Sequence, residues 1–301
     1  MLEKLRETFS PPEKLQGVLE ELRGRYKDNN DPWGFNLEAC ELAVKLFWPL
    51  YQNYFRVKVH GIENVKDQPY MVVSNHSGQI AIDGVLITMA FALDVLPPRI
   101  LRGMVERFLS GMPFLGDFVA QTGSILGDRK NCQYLLDKGE SILVFPEGVR
   151  GVSKSTPDFY KLQSFTKGFY RIALQTRTPI LPICVIGAEE FYPYVLQMKK
   201  LAQILKMPAI PLTPTFPLLG PLGILPMPSP VDIYIGKPIP IPENLSPEAN
   251  EKELNEHVYQ IESQIKAMIK EGLKNRRTMV PTVSKDKLEQ VKELVKMYVK
   301  K

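Results

Sequence analysis

The chain is poor in the residues that build disulfide and metal frameworks. Its three cysteines, Cys40, Cys132 and Cys184, are scattered and odd in number. That argues against a disulfide scaffold and for a reducing compartment. The histidines are His60, His76 and His257, and no His/Cys cluster at metal-ligand spacing is visible. No run reaches the roughly 18 apolar residues that a membrane span needs. Residues 84–93 are too few, and 208–228 are too rich in proline. The opening stretch, Met1-Leu2-Glu3-Lys4-Leu5-Arg6-Glu7, mixes charges and lacks the apolar core of a signal peptide. Internal repeats and low-complexity tracts are lacking too. No Gly-x-Ser-x-Gly elbow occurs, which makes a serine nucleophile the weaker reading.

What is present is globular in composition. The 301 residues are 44% hydrophobic and 24% charged, enough for one large domain or two small ones. The net charge of +5 is unevenly placed, because residues 266–301 carry eleven Lys or Arg against four Asp or Glu. Such a tail suits an anionic membrane surface or a nucleic acid, or is simply a solvated helix face.

Periodicity sorts the chain into three parts. Residues 1–55 read as helical. Ser10-Pro11-Pro12-Glu13 is a helix start, followed by a stripe of Leu15, Val18, Leu19, Leu22 and Tyr26. Asn36 can cap a second helix carrying Leu37, Cys40, Val44, Phe47, Tyr51 and Phe55 on one face, kinked at Pro49. Trp48 and the tyrosines there suit either a membrane interface or the core. From 56 to 245, strand and helix patterns alternate, which predicts an α/β domain with a mainly parallel, mixed sheet flanked by helices. Strands are expected near 56–60, 69–73, 99–105, 141–145, 179–186 and 231–235. Pro182 argues for an edge or a bulge. Residues 189–205 read as helical, interrupted near Pro193. Residues 207–230, dense in Pro, Leu, Phe and Ile, are either a lipid-facing cover or a packed connector. Residues 246–301 read as helices with a basic tail, the last striped by Leu288, Val291, Val295 and Tyr298.

One stretch concentrates chemistry: Ser74-Asn75-His76-Ser77-Gly78, followed by Asp83-Gly84. The histidine stands at a strand-to-helix turn with a carboxylate seven positions on. An imidazole can take a proton from a hydroxyl while a carboxylate fixes its tautomer, and the same pair can be merely structural. On a continuous helix the two positions would stand about 10 Å apart, so a dyad requires the segment between them to loop out, with the helix starting near Ile82. Asp83 would then lie in the first helical turn, where a capping role is its alternative.

Three further blocks follow in order: Gly123-Ser124-Ile125-Leu126-Gly127-Asp128-Arg129, Phe145-Pro146-Glu147-Gly148-Val149-Arg150-Gly151, and Thr178-Pro179-Ile180-Leu181-Pro182. With the Asn75-His76 block they resemble the glycerolipid acyltransferase superfamily, which includes the lysophosphatidate acyltransferases, over about residues 56–240. The family usually has four residues between its His and Asp, and this chain has six. The resemblance implies transfer of a fatty acyl group from acyl-CoA or acyl carrier protein to a lysophospholipid hydroxyl, with no metal or redox cofactor. A neutral or unusual lipid alcohol, or a non-catalytic lipid-binding protein of the same fold, are the alternatives. It implies His76 as general base and Asp83 as its partner. Arg129 would bind phosphate, Asn75, Gly78, Glu147, Gly148 and Arg150 would shape the acceptor pocket, and Pro182 would shape the site or the acyl channel. Lys154 and Lys167 are weaker candidates for the same phosphate and read first as surface residues. The expected setting is cytoplasmic and peripheral to a membrane, on anionic lipid, without nucleic acid.

Overall fold

A computed structural model of the protein describes residues 13–27, 31–77, 79–111, 114–192, 195–198, 211–213 and 215–277. The helix start at 10–12, Gly78, much of the 193–210 stretch and the basic tail from 278 onward lie outside the described residues.

Two helices lead the fold, α1 (Glu13–Tyr26) and α2 (Leu37–Pro49). The α1 stripe of Leu15, Val18, Leu19, Leu22 and Tyr26 is buried throughout. Asn36 caps α2 by accepting the Ala39 amide at 3.1 Å. At Pro49 the helix passes into a wider π-type turn, Leu50–Tyr54, since proline has no amide to continue the α ladder. Tyr51 is fully buried and Trp48 packs on the core, so the aromatics face inward and Leu42, Leu46 and Leu50 face outward.

Seven strands form the main sheet: β1 (Lys58–His60), β2 (Met71–Ser74), β3 (Arg102–Val105), β4 (Ile125–Leu126), β5 (Ile142–Val144), β6 (Ile180–Ile186) and β9 (Asp232–Ile235). Their order is β1-β9-β6-β2-β5-β3-β4. Every pairing is parallel except β6 with β9. Alternate residues feed two apolar clusters, as a period of two requires. Val72, Leu181, Ile183 and Val185 pack beneath α1, α2 and α3 (Ile82–Leu93). Met71, Val73, Ile180 and Cys184 pack beneath α5 (Arg129–Asp137), α6 (Gly168–Thr176) and α7 (Glu251–Lys274). The short α4 (Leu115–Gln121) closes one end, against α2.

Of the two readings of Pro182 the edge fails and the bulge holds, because the residue lies in a central strand. Its carbonyl accepts the Gly236 amide at 2.8 Å. On that side the regular β9 ladder stops at Ile183↔Ile235 and resumes only as an Ile180↔Ile239 bridge, one residue out of register. The proline therefore sits where the neighbouring strand bulges and asks for no donor. Residues 188–191 form a 3₁₀ turn, and Leu196–Gln197 (β7) pairs antiparallel with Pro211–Leu212 (β8). The helical reading of 189–205 fails for the described part of that stretch.

α7 is strongly specified. Asn250 and Glu253 form a reciprocal capping box, Asn250 Oδ1 accepting two amides at 3.0 Å and Glu253 accepting the Asn250 amide at 3.2 Å. Leu254, Val258, Ile261, Ile265 and Ile269 line its buried face. At Gly272 a Cβ would come within 2.7 Å of Ile186 Cγ1, so a bare backbone lets α7 lie close on the sheet.

Candidate active site

The adjacent parallel strands β5, β2 and β6 end side by side, and each releases a polar residue just beyond its last paired position. These are Glu147, His76 and Glu189, all buried. In such sheets the carboxyl ends of strands are where ligands bind.

His76 is held on every side. Its Nδ1 lies 2.8 Å from Asp83 Oδ2, which also accepts the Ser77 amide at 2.7 Å. Asp83 Oδ1 accepts the Gly84 amide at 2.8 Å. α3 begins at Ile82, so Asp83 occupies its first turn while reaching back to the imidazole. The Phe145 ring stacks on the imidazole, centroids 4.0 Å apart and planes 16° from parallel. The side chain of His76 is 11% accessible, and no described residue hydrogen-bonds Nε2. An imidazole whose Nδ1–H is fixed by a carboxylate presents Nε2 as a base.

Behind the ring lies a charged brace. Glu147 Oε1 accepts the His76 amide at 2.7 Å and Oε2 accepts the Gln163 amide at 2.7 Å. Lys154 is buried between two carboxylates, 3.2 Å from Glu147 Oε2 and 3.1 Å from Glu189 Oε1, and it donates to the His76 carbonyl at 3.1 Å. Glu189 Oε2 accepts the Tyr160 amide at 2.6 Å. Burial pushes the Glu189 carboxyl up to about 7, against the opposing pull of Lys154. Gly151 makes the packing possible, since a Cβ there would meet His76 Cβ at 2.7 Å.

The remaining motif residues divide. Asn75 spends its amide on Val185, donating to its carbonyl at 3.1 Å and accepting its N–H at 2.8 Å, so it braces the loop instead of meeting substrate. Gly148 adopts φ +58°, ψ −149°, a conformation glycine favours, and donates its own N–H to Phe145 O. That amide is therefore not available to an oxyanion. Arg150 bonds the Ser164 carbonyl at 2.8 Å. Arg129 starts α5 beyond β4, three strands from β2, or about 14 Å across the sheet at about 4.8 Å per strand. Its guanidinium bonds Gln175 Oε1 at 3.1 Å, and no hydrogen bond or ion pair joins it to His76 or Glu147 among the described residues. Lys167 pairs with Glu251 at the surface, as expected. Lys154 corrects the surface reading. Lys154 and Glu189 carry no local signal, because a lysine in a Gly-Val-Ser-Lys stretch and a Glu-Glu pair read as solvated. Phe145 was legible as a strand residue and as the head of its motif block, but not as the ring that stacks on His76.

The family model described as Acyltransferase matches residues 56–186, the stretch holding all four motif blocks. A Mycobacterium tuberculosis protein described as uncharacterised is 33% identical over 246 residues, covering 81% of this chain and 68% of its own. The chain belongs to the acyltransferase family. It is an O-acyltransferase. Two more relatives carry functional names. A chicken protein named DGAT1/2-independent enzyme synthesizing storage lipids is 26% identical, covering 70% of this chain and 60% of its own. The 1-acyl-sn-glycerol-3-phosphate acyltransferase of Saccharomyces cerevisiae is 31% identical over 140 residues, 43% of this chain and 42% of its own. Among solved structures, the 1-acyl-sn-glycerophosphate acyltransferase PlsC of Thermotoga maritima shares the acyltransferase fold, with a TM-score of 0.53 at 21% identity over 79% of this chain and 81% of that one.

Proposed function

We propose that this acyltransferase moves a fatty acyl group from a thioester donor, acyl-CoA or acyl carrier protein, to the free hydroxyl of a lysophospholipid such as lysophosphatidate. The reading is carried by the His76–Asp83 contact at 2.8 Å with Nε2 left for substrate. His76 Nε2 takes the hydroxyl proton as the alcohol oxygen attacks the thioester carbonyl. The C–O bond forms, the C–S bond breaks, and the imidazolium returns the proton to the departing thiolate. Asp83 keeps the tautomer and offsets the transient positive charge. Glu147, Lys154 and Glu189 hold the loop and touch no reacting atom.

The acceptor is proposed from the names of the yeast relative and of PlsC. A phosphate on that acceptor needs a fixed cation. Arg150 directly precedes Gly151, which abuts His76, and is the nearer candidate. Arg129 is the more distant one. The chicken relative covers more of this chain and favours a second reading, acylation of a neutral glycerolipid. No helix among the described residues is long and apolar enough to cross a membrane. We propose peripheral docking through exposed apolar side chains, among them Leu46, Leu218, Leu222 and Leu225. The test is purified protein with oleoyl-CoA and a panel of lysophospholipids, monoacylglycerol and diacylglycerol, products read by mass. Acylated lysophosphatidate is expected, and its formation should vanish in His76→Ala. Product only from the neutral acceptors would select the second reading, and undiminished activity of a folded His76→Ala would end both.

A further inference from the structure

A groove of about 630 Å³ runs between residues 160–162 and the C-terminal half of α7, and no step above uses it. Its floor is apolar, built by Leu162, Ile269 and Leu273. Its rim is cationic, with Lys161 on one side and Lys266, Lys270 and Lys274 on the other. The three lysines of α7 fall four residues apart, so they form one row about 12 Å long. A row of that length suits several phosphates better than one.

The neighbouring acids do not close it. Lys161 pairs with Asp158 at 3.2 Å, Lys266 with Glu262 at 3.5 Å and Lys274 with Glu271 at 2.7 Å, while Lys270 has no ion-pair partner among the described residues. None of these carboxylates lines the groove. The lysines of these pairs are about half or more exposed, and solvent screens such pairs strongly, so phosphate oxygens can displace them.

Position ties the groove to catalysis. Gly272 packs α7 against Ile186, the last residue of β6, so the lysine end of the helix lies at the carboxyl ends of the parallel strands, where His76 follows β2. Tyr160 forms part of the lining, and its amide holds Glu189, which holds Lys154, which bonds the His76 carbonyl. The groove also lies away from the apolar exposure of α2. Leu42, Leu46 and Leu50 project from a helix on the opposite face of the sheet, and no large exposed apolar side chain lines the groove. A bilayer would need such side chains. A shallow, open groove with a polycationic rim and an apolar floor fits a water-soluble ligand with clustered phosphates and a flat apolar group.

We propose that this groove holds the nucleotide end of a coenzyme A thioester, its phosphates on the lysine row and its base over the floor, while the acyl end extends to His76. The inference rests on the thioester-donor reading. Its test uses the full chain carrying Lys266→Gln, Lys270→Gln and Lys274→Gln, all surface positions. Coenzyme A is titrated calorimetrically, and KM is measured for acyl-CoA and for the acceptor. The variant should raise Kd for coenzyme A and KM for acyl-CoA by about tenfold or more, with kcat and acceptor KM within about twofold and the melting temperature unchanged. Coenzyme A lacking its 3′-phosphate should bind the wild type more weakly, and the variant should blunt that difference. An unchanged coenzyme A Kd, no wild-type binding at millimolar concentration, or a loss confined to anionic vesicles or to carrier-protein donors would overturn it. The two readings fail separately. Lysine-dependent coenzyme A binding in a protein that transfers no acyl group would sink the function, and transfer from acyl-CoA untouched by the lysines would sink the groove.

Discussion

At the residue scale the decisive question is what Asp83 does. It stands in the first turn of α3 and also touches the imidazole, so the capping and dyad readings share one carboxylate. They separate on substitution. The Ser77 and Gly84 amides bond different oxygens of Asp83, so Asp83→Asn, with one acceptor oxygen, keeps only one of them and turns an N–H donor to the other position, which favours the wrong imidazole tautomer. It should cut kcat by about a thousandfold or more while costing only about 1–3 kcal/mol of stability, read by steady-state kinetics beside thermal denaturation. Near-normal turnover with at most about 1 kcal/mol of stability lost would leave Asp83 a cap only. The six-residue spacing was interpretable in advance because helix rise is fixed, and a start at Ile82 is what lets Asp83 reach back. Lys154 and Glu189 were not legible, since burial of a charge depends on partners far away in sequence. Lys154 meets Glu189 and His76 only after the β5 and β6 ends come together.

Among elements, strands and helices were legible where one period dominates. The α1 stripe is buried at all five named positions, and six of the seven main-sheet strands overlap the expected stretches, while the two-residue β4 was not expected. Boundaries shifted where capping decides. α7 starts at Glu251, because Asn250 and Glu253 make the stronger reciprocal cap, and not at Ser246. The helical reading fails at Leu196–Gln197, whose apolar spacing suits a helix while tertiary pairing draws them into an antiparallel ladder with Pro211–Leu212. The close approach of α7 to the sheet also makes a prediction. Gly272→Val would push a side chain into Ile186 and Tyr234, whose atoms lie 2.7 and 2.9 Å from where a Cβ would stand. It should cost about 1–3 kcal/mol in urea denaturation. An unchanged midpoint would mean that the helix rides farther from the sheet.

For the whole molecule, apolar exposure is concentrated on α2, on α4 with the adjoining Phe114, and on residues 218–227. Leu218, Leu219, Leu222 and Leu225 replaced together by serine should weaken binding to phospholipid vesicles by about tenfold or more, with melting unchanged, because each leucine removed takes apolar area from the lipid contact. Sedimentation with vesicles reads this directly, and unaltered binding would return the segment to a connector.

The placement of β9 between β1 and β6 has a consequence for synthesis. The sheet neighbour of β1 is β9, and Lys58 is matched to Asp232, more than half the chain away. As the polypeptide emerges, β1 waits with its native ladder unformed, and β6 keeps one bare flank until residues 232–235 leave the ribosome. The strands β2, β5 and β6, whose ends position His76, Glu147 and Glu189, are already complete by then. The nascent protein therefore can assemble its chemistry before it seals its own margin.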